Sequence, residues 1–308
     1  MQNLNSAPAF YQKIPGKWIL AGEHTVLRGG KALVFPLTSQ YLEIFYFTSE
    51  MPFEITLRGE NSLEIQSVVN AVFARALETL KIQSETLTGQ VILQSNILFG
   101  AGMGASATLC VAVAEFFHFL GYVSTDSQKE PQTDSLYEFA RQLENLFHGE
   151  SSGVDIAVVL RKKPLLFSRE QGIHEIENYH MPQLYLSHTG AQGITKDCVT
   201  RVKNLGLDQP QFAKEIDERM MSAVSQFSEL LNHQKNEAGW IDAMNKAHSC
   251  FRDWGLMNQN VKNHEELLLK HGALAVKLTG SGGGGFMLSL WNHKPIHLPF
   301  NLIPCTEK

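Results

Sequence analysis

An α+β protein of two domains is expected from three observations on this chain. The first half reads as strands interrupted by a few helices, and the second half as successive long helices followed by two strands. A strand, a glycine-rich turn and a long apolar helix follow one another around residues 90–120. The 308 residues, 44% apolar and 19% charged, suffice for a large core, and the length favours two domains over one.

In chain order, KWILA (17–21) and ALVFPL (32–37) read as short buried strands joined by a turn containing Gly29 and Gly30. QYLEIFYFT (40–48) and FEITL (53–57) continue the β pattern with partial alternation. Apolar residues spaced by three and four over 62–80 predict an amphipathic helix. A strand near 90–95 leads into a glycine-led helix at 104–120, a polar loop with Pro131 at 121–134, and a helix at 134–148. Beyond about residue 170 the pattern gives a strand at 184–189 and helices near 195–204, 210–232, 238–254 and 258–271. Strands at 273–279 and 286–291 flank a second glycine cluster, and the last stretch is irregular. The change of texture divides the chain into domains 1–170 and 171–308.

The formal net charge of −5 builds no basic face, which argues against nucleic acid as a partner. Cys110, Cys198, Cys250 and Cys305 are scattered and lack metal-ligand spacing, so free thiols in a reducing cytoplasm are expected. The opening MQNLNSAPAFYQK has no apolar core of a signal peptide. The most hydrophobic window, Ile97 to Val123, carries Glu115 and His118 and reads as a buried core helix, so no membrane partner is expected.

Four stretches carry chemistry. GAGMGASAT (100–108) turns from a strand directly into a helix, which aims backbone N–H groups and the positive end of the helix dipole at one spot. Phosphate suits that spot, and the Ser106 hydroxyl stands where it could reach a phosphate oxygen or Mg²⁺; a tight turn without ligand is the alternative. The ending lacks Gly-Lys-Ser/Thr, so this is not a Walker A loop. PGKWILAGEHTVLRGGKAL (15–33) places Lys17 on a strand as a point charge, with Glu23 and His24 in the turn after it. Those two residues are either site groups or ordinary surface-turn residues.

FARQLENLFHGESSGVDIAVVL places Glu144 on a helix, one turn before His148, with Asp155 beyond a Ser-Ser-Gly turn. Phosphoryl transfer needs one carboxylate for a metal and one for the attacking hydroxyl. An exposed helix carboxylate and a helix N-cap are the respective alternatives. KLTGSGGGG (277–285) spends more glycine than a hairpin requires, which points to a loop that packs close to the phosphate turn.

Together PGKWILAGEHTVLRGG, GAGMGASAT and KLTGSGGGG, in that order, resemble the three motifs of the GHMP kinases and span nearly the whole chain. Within that family the segment GEHTVLRGGKAL and the run from Glu144 through His148 and Gly149 to SSGVD are most similar to the mevalonate kinase branch. The Asp-Tyr of a galactokinase signature is absent, since Val26 and Leu27 stand there. The resemblance implies a two-domain fold with the active site in the interdomain cleft and a ferredoxin-like second domain. It implies ATP-dependent phosphorylation of a small hydroxy acid, mevalonate to 5-phosphomevalonate, in isoprenoid biosynthesis.

By the same resemblance, Asp155 is the catalytic aspartate and Lys17 its partner near the acceptor hydroxyl. Gly100, Ala101, Gly102, Met103, Gly104, Ala105, Ser106 and Ala107 wrap the ATP phosphates. Ser106 and Glu144 hold Mg²⁺. Lys17, Glu23, His24, Asp155, Gly280, Ser281 and Gly282 form the acceptor pocket. A homodimer is compatible with the family. The chain departs from the family pattern at Leu98, Met103 and Ala105, where Pro, Leu and Ser are usual. Phosphomevalonate kinase is the alternative, with Arg28, Lys31 and Lys196 as its extra cations, and a non-catalytic ligand-binding homologue is the second alternative.

Overall fold

The computed structural model describes residues 7–59, 62–125, 134–148, 151–233 and 236–306. Within the expected polar loop, 126–133 with Pro131 lie outside the described residues, as do Gly149 and the His148 side chain. The chain forms two compact units, each assembled from separated segments.

The first unit comprises 1–16, 40–97 and 105–162. Its sheet is built from the second half of β2 (Lys31–Pro52), β3 (Glu54–Arg58) and β4 (Thr88–Ser95). β4 lies between the other two, antiparallel to β2 from Leu42↔Ser95 to Phe47↔Gln90 and parallel to β3. The parallel pair is connected through α1 (Ser62–Leu80), the crossover that a parallel pairing requires. α2 (Ala105–Phe119) is apolar on nearly all sides and is buried accordingly, packed by α1, α3 (Ser135–His148) and α4 (Val154–Arg161). Phe116 centres an aromatic cluster with Phe10, Tyr46, Phe53, Phe73 and Phe117. Among the described residues no helix is long and apolar enough to cross a membrane, and the window around α2 is the buried core helix its sequence predicts.

The second unit comprises 17–39, 98–104 and 163–308. The first half of β2 pairs with β5 (Leu165–Ser168), and β5 with β6 (Gly172–Glu175), all antiparallel. A second antiparallel sheet has the order β10-β7-β9-β8, from β7 (Gln183–His188), β8 (Ala275–Leu278), β9 (Phe286–Trp291) and β10 (Ile303–Pro304). Four helices accompany it: α5 (Thr195–Asp208), α6 (Pro210–Leu231), α7 (Glu237–Asp253) and α8 (Gln259–Lys270). α7 and α8 both pack on β8, and α6 packs on α7.

The helices expected from spacing are found within a few residues of their predicted ends. The strands differ more. The short strand at 17–21 is the end of β1 (Phe10–Ala21), and 32–37 and 40–48 are one strand, β2. The turn between them contains a 3-10 helix, Thr25–Arg28, closed by Gly29 in the left-handed region. All four cysteines are free and buried.

Candidate active site

Gly22, Glu23 and His24 form the turn that leaves β1. Gly22 has φ 103°, and a Cβ there would lie 2.1 Å from the Lys31 carbonyl oxygen, so only glycine allows β2 to start this close. His24 is a non-glycine residue at φ 61°, a strained conformation of the kind that collects at functional sites. Helix α6 holds the turn from one side. The Gly22 and Lys31 N–H groups donate to the sulfurs of Met220 and Met221, each at 3.4 Å, and Arg28 makes a bidentate pair with Asp217.

The third glycine motif holds the same turn from within. Glu23 Oε1 lies 2.7 Å from Lys277 Nζ; Glu23 is 3% exposed and Lys277 0%. Burial pushes the Glu23 carboxyl up and the Lys277 ammonium down, while each partner's charge pulls the other back. His24 Nε2 donates to the Ser281 carbonyl at 2.9 Å, and its ring stands edge-on to Trp254 at 4.9 Å. Burial lowers the His24 pKa to about 4, so the ring is neutral near pH 7. The Thr279 hydroxyl donates to the Ile19 carbonyl at 2.9 Å and accepts from the Ile19 N–H at 3.1 Å. Glu23 and His24 are therefore buried, not surface-turn residues.

Lys17, buried at the strand position expected, sits against the first glycine loop. Its N–H donates to the Met103 carbonyl at 3.0 Å. A Cβ on Gly104 (φ 78°) would come 2.6 Å from Lys17 Cγ. Gly100 to Gly104 then lead into Ala105, Ser106 and Ala107, the first turn of α2, where Ser106 is half-buried and no acidic side chain competes for the helix's positive end. The two glycine motifs touch: a Cβ on Gly280 would lie 3.6 Å from Gly102 Cα. Gly282 accepts a hydrogen bond from the Cys198 thiol at 3.2 Å.

Within the first unit, Glu144 is 2% exposed, which removes the reading as an exposed helix carboxylate. The Ser151 hydroxyl donates to Glu144 Oε2 and accepts from the Gly153 N–H at 3.0 Å. Ser151 thus ties Glu144 to the start of α4. The Glu144 charge also adds to the burial that raises the Cys110 thiol well above its ordinary range. Gly153 caps α4, so Asp155 is not its N-cap: it lies half-buried in the first turn. Sequence reasoning missed Lys277, Ser151 and the α6 residues. Only Lys277 gave a signal: it is a lone lysine in an apolar strand, as Lys17 is.

Glu144 and Ser106 offer hard oxygen donors of the type Mg²⁺ prefers. Among the described residues no group of three or more His, Cys, Asp and Glu side chains gathers as a metal cage, so phosphate oxygens would have to complete such a site.

The family model described as GHMP kinases N terminal domain matches residues 67–163, and that described as GHMP kinases C terminal matches 227–295. A protein named mevalonate kinase from Pyrococcus abyssi is 25% identical over 298 residues, covering 90% of this chain and 87% of that one. The L. major mevalonate kinase structure with R-mevalonate superposes with a TM-score of 0.75 at 22% identity, covering 95% of this chain and 90% of the other. The Methanococcus jannaschii mevalonate kinase gives 0.71 at 19% identity, with 94% and 92% covered.

Proposed function

The chain belongs to the GHMP kinase family, and we propose that it transfers the γ-phosphoryl group of ATP to the 5-hydroxyl of mevalonate. The carrying observation is that Lys17 packs on the phosphate-type loop while the turn after its strand, Gly22 to His24, is locked to the third glycine motif. One strand thus serves both a phosphate loop and a buried polar turn fit for a small alcohol. The relatives named mevalonate kinase, matched over most of their length, give the acceptor.

In this reading the loop from Gly100 to Ala107 binds the ATP phosphates through its amides and the positive end of α2. Asp155 orients the acceptor hydroxyl and receives its proton, and the transition state asks little basicity of it. Lys17 supplies fixed positive charge toward the transferring phosphoryl group. Glu23 and neutral His24 contact the acceptor, and Gly280 to Gly282 shape its pocket. Ser106 and Glu144 would hold Mg²⁺, which when bound neutralises phosphate charge. The cytoplasm is the proposed compartment.

Arg28, one of three cations a phosphomevalonate pocket would recruit, is already engaged with Asp217, which favours the unphosphorylated acceptor. ATP consumption against mevalonate, phosphomevalonate, homoserine and galactose tests this. Turnover is expected with mevalonate first; preference for phosphomevalonate or galactose would overturn the acceptor assignment.

A further inference from the structure

Lys277 has no part in the reaction as described, yet it is a fully buried charged side chain, 0% exposed. Three observations place it. Its Nζ is 2.7 Å from Glu23 Oε1 and 3.5 Å from the Ile19 carbonyl oxygen, so both hydrogen-bond partners belong to the end of β1 and the turn after it, downstream of Lys17. The face of the Phe251 ring lies 5.4 Å away, which favours a cation there and seals it from water. Finally, the second oxygen of Glu23, Oε2, is buried and has no hydrogen-bond partner. A buried carboxylate oxygen left open is costly unless a ligand completes it.

We infer that Lys277 is a positioning residue for the acceptor: it clamps one oxygen of Glu23 so that the other is presented to a hydroxyl group of the substrate. The inference rests on the acceptor reading of Glu23 given above. A carboxylate oxygen accepts from an alcohol and repels another carboxylate, so Glu23 faces a hydroxyl of the hydroxy acid and not its acid end. The third glycine motif thereby acts on the acceptor as well as on the phosphate loop. Among the described residues Lys277 from β8, Lys17 from β1 and a backbone N–H at Glu23 bear on the Glu23 charge; Cys250 from α7 feels that charge, and the neighbouring His24 is neutral.

The test is a double-mutant cycle on steady-state kinetics. Lys277→Met, Glu23→Gln and the double variant are compared with wild type, using whichever acceptor the wild type phosphorylates. Lys277→Met is expected to raise the acceptor KM about tenfold or more, the scale of losing one charge-assisted hydrogen bond, with the ATP KM within about twofold of wild type. The double variant is expected to rise no further than the larger single change, because both act through one carboxylate. Without the ammonium, Glu23 takes up a proton more readily. The acceptor KM of Lys277→Met should therefore rise more steeply than that of wild type as pH falls.

Additive effects, an unchanged acceptor KM, or equal losses for acceptor and ATP would overturn the inference. If Lys277→Met does not fold, Lys277→Gln keeps a donor without the charge, and the double variant leaves no unpaired charge at this site. A wild-type acceptor KM in either would likewise overturn it. A wild type active on a different alcohol overturns the mevalonate reading alone and leaves the cycle to be read with that alcohol. A wild type inactive on every acceptor overturns both.

Discussion

Asp155 stands second in α4, after Val154, where the helix fixes its backbone; the residue is half-buried and its Oδ1 is buried. Replacing it with Asn keeps the shape and removes the charge. Turnover should fall by about 10²-fold or more with ATP affinity little changed, and single-turnover kinetics with a nucleotide titration will check both. His24 sets a different dependence. Its folded pKa of about 4 lies below the ordinary 6.5, so the unfolded chain binds the proton first. Stability is therefore full above about pH 6.5 and is lost as pH falls toward 4, by about 3 kcal/mol at one pKa unit per 1.36 kcal/mol. His188 and His264 are shifted the same way, whereas the raised carboxyls of Glu23 and Glu115 titrate in the opposite sense. The readout is accordingly the difference in urea unfolding between wild type and His24→Gln. Equal acid sensitivity in the two would show that His24 carries none of it. Lys17, Glu23 and Asp155 were legible because each breaks an apolar run or follows a glycine turn. Ser151 was not, because nothing in a Ser-Ser pair tells which hydroxyl meets Glu144.

The first glycine loop joins β4 to α2, and Gly104 is where it meets Lys17. A methyl group there would strike the Lys17 stem 2.6 Å away, in a backbone conformation of φ 78° that alanine resists. Gly104→Ala should cost about 1–3 kcal/mol of loop strain and weaken ATP binding about tenfold or more. Isothermal titration with a non-hydrolysable nucleotide will measure it, and wild-type affinity would refute this account of the loop. The helices are legible in the sequence because the 3.6-residue repeat persists over ten or more positions. The strands are less so. Thr38 and Ser39 read as a break, yet β2 runs through them, because a strand needs no apolar residue where a face is not buried. β5 and β6 are four residues each and too short to show alternation.

Both glycine motifs and the Gly22–His24 turn depend on cores laid down elsewhere in the chain. α2 is fixed by aromatic packing around Phe116, which is fully buried against Phe73 and Phe117. Phe116→Ala should lower unfolding free energy by about 3–5 kcal/mol in a urea titration, and a midpoint matching wild type would show that the cluster repacks at no cost. The change of texture near residue 170 was visible in composition. The regrouping was not: 17–39 and 98–104 join 163–308 through pairings such as Lys31↔Ser168 and Lys277 to Glu23, which no local pattern encodes.

That regrouping has a consequence for how the protein is made. Glu23, with Lys17 and His24 beside it, leaves the ribosome 254 residues before Lys277 does. The strand and its turn must therefore wait, with apolar faces uncovered, until β8 is made. Chaperone capture of nascent chains should be strongest before β8 appears, and the arrival of that strand commits the turn.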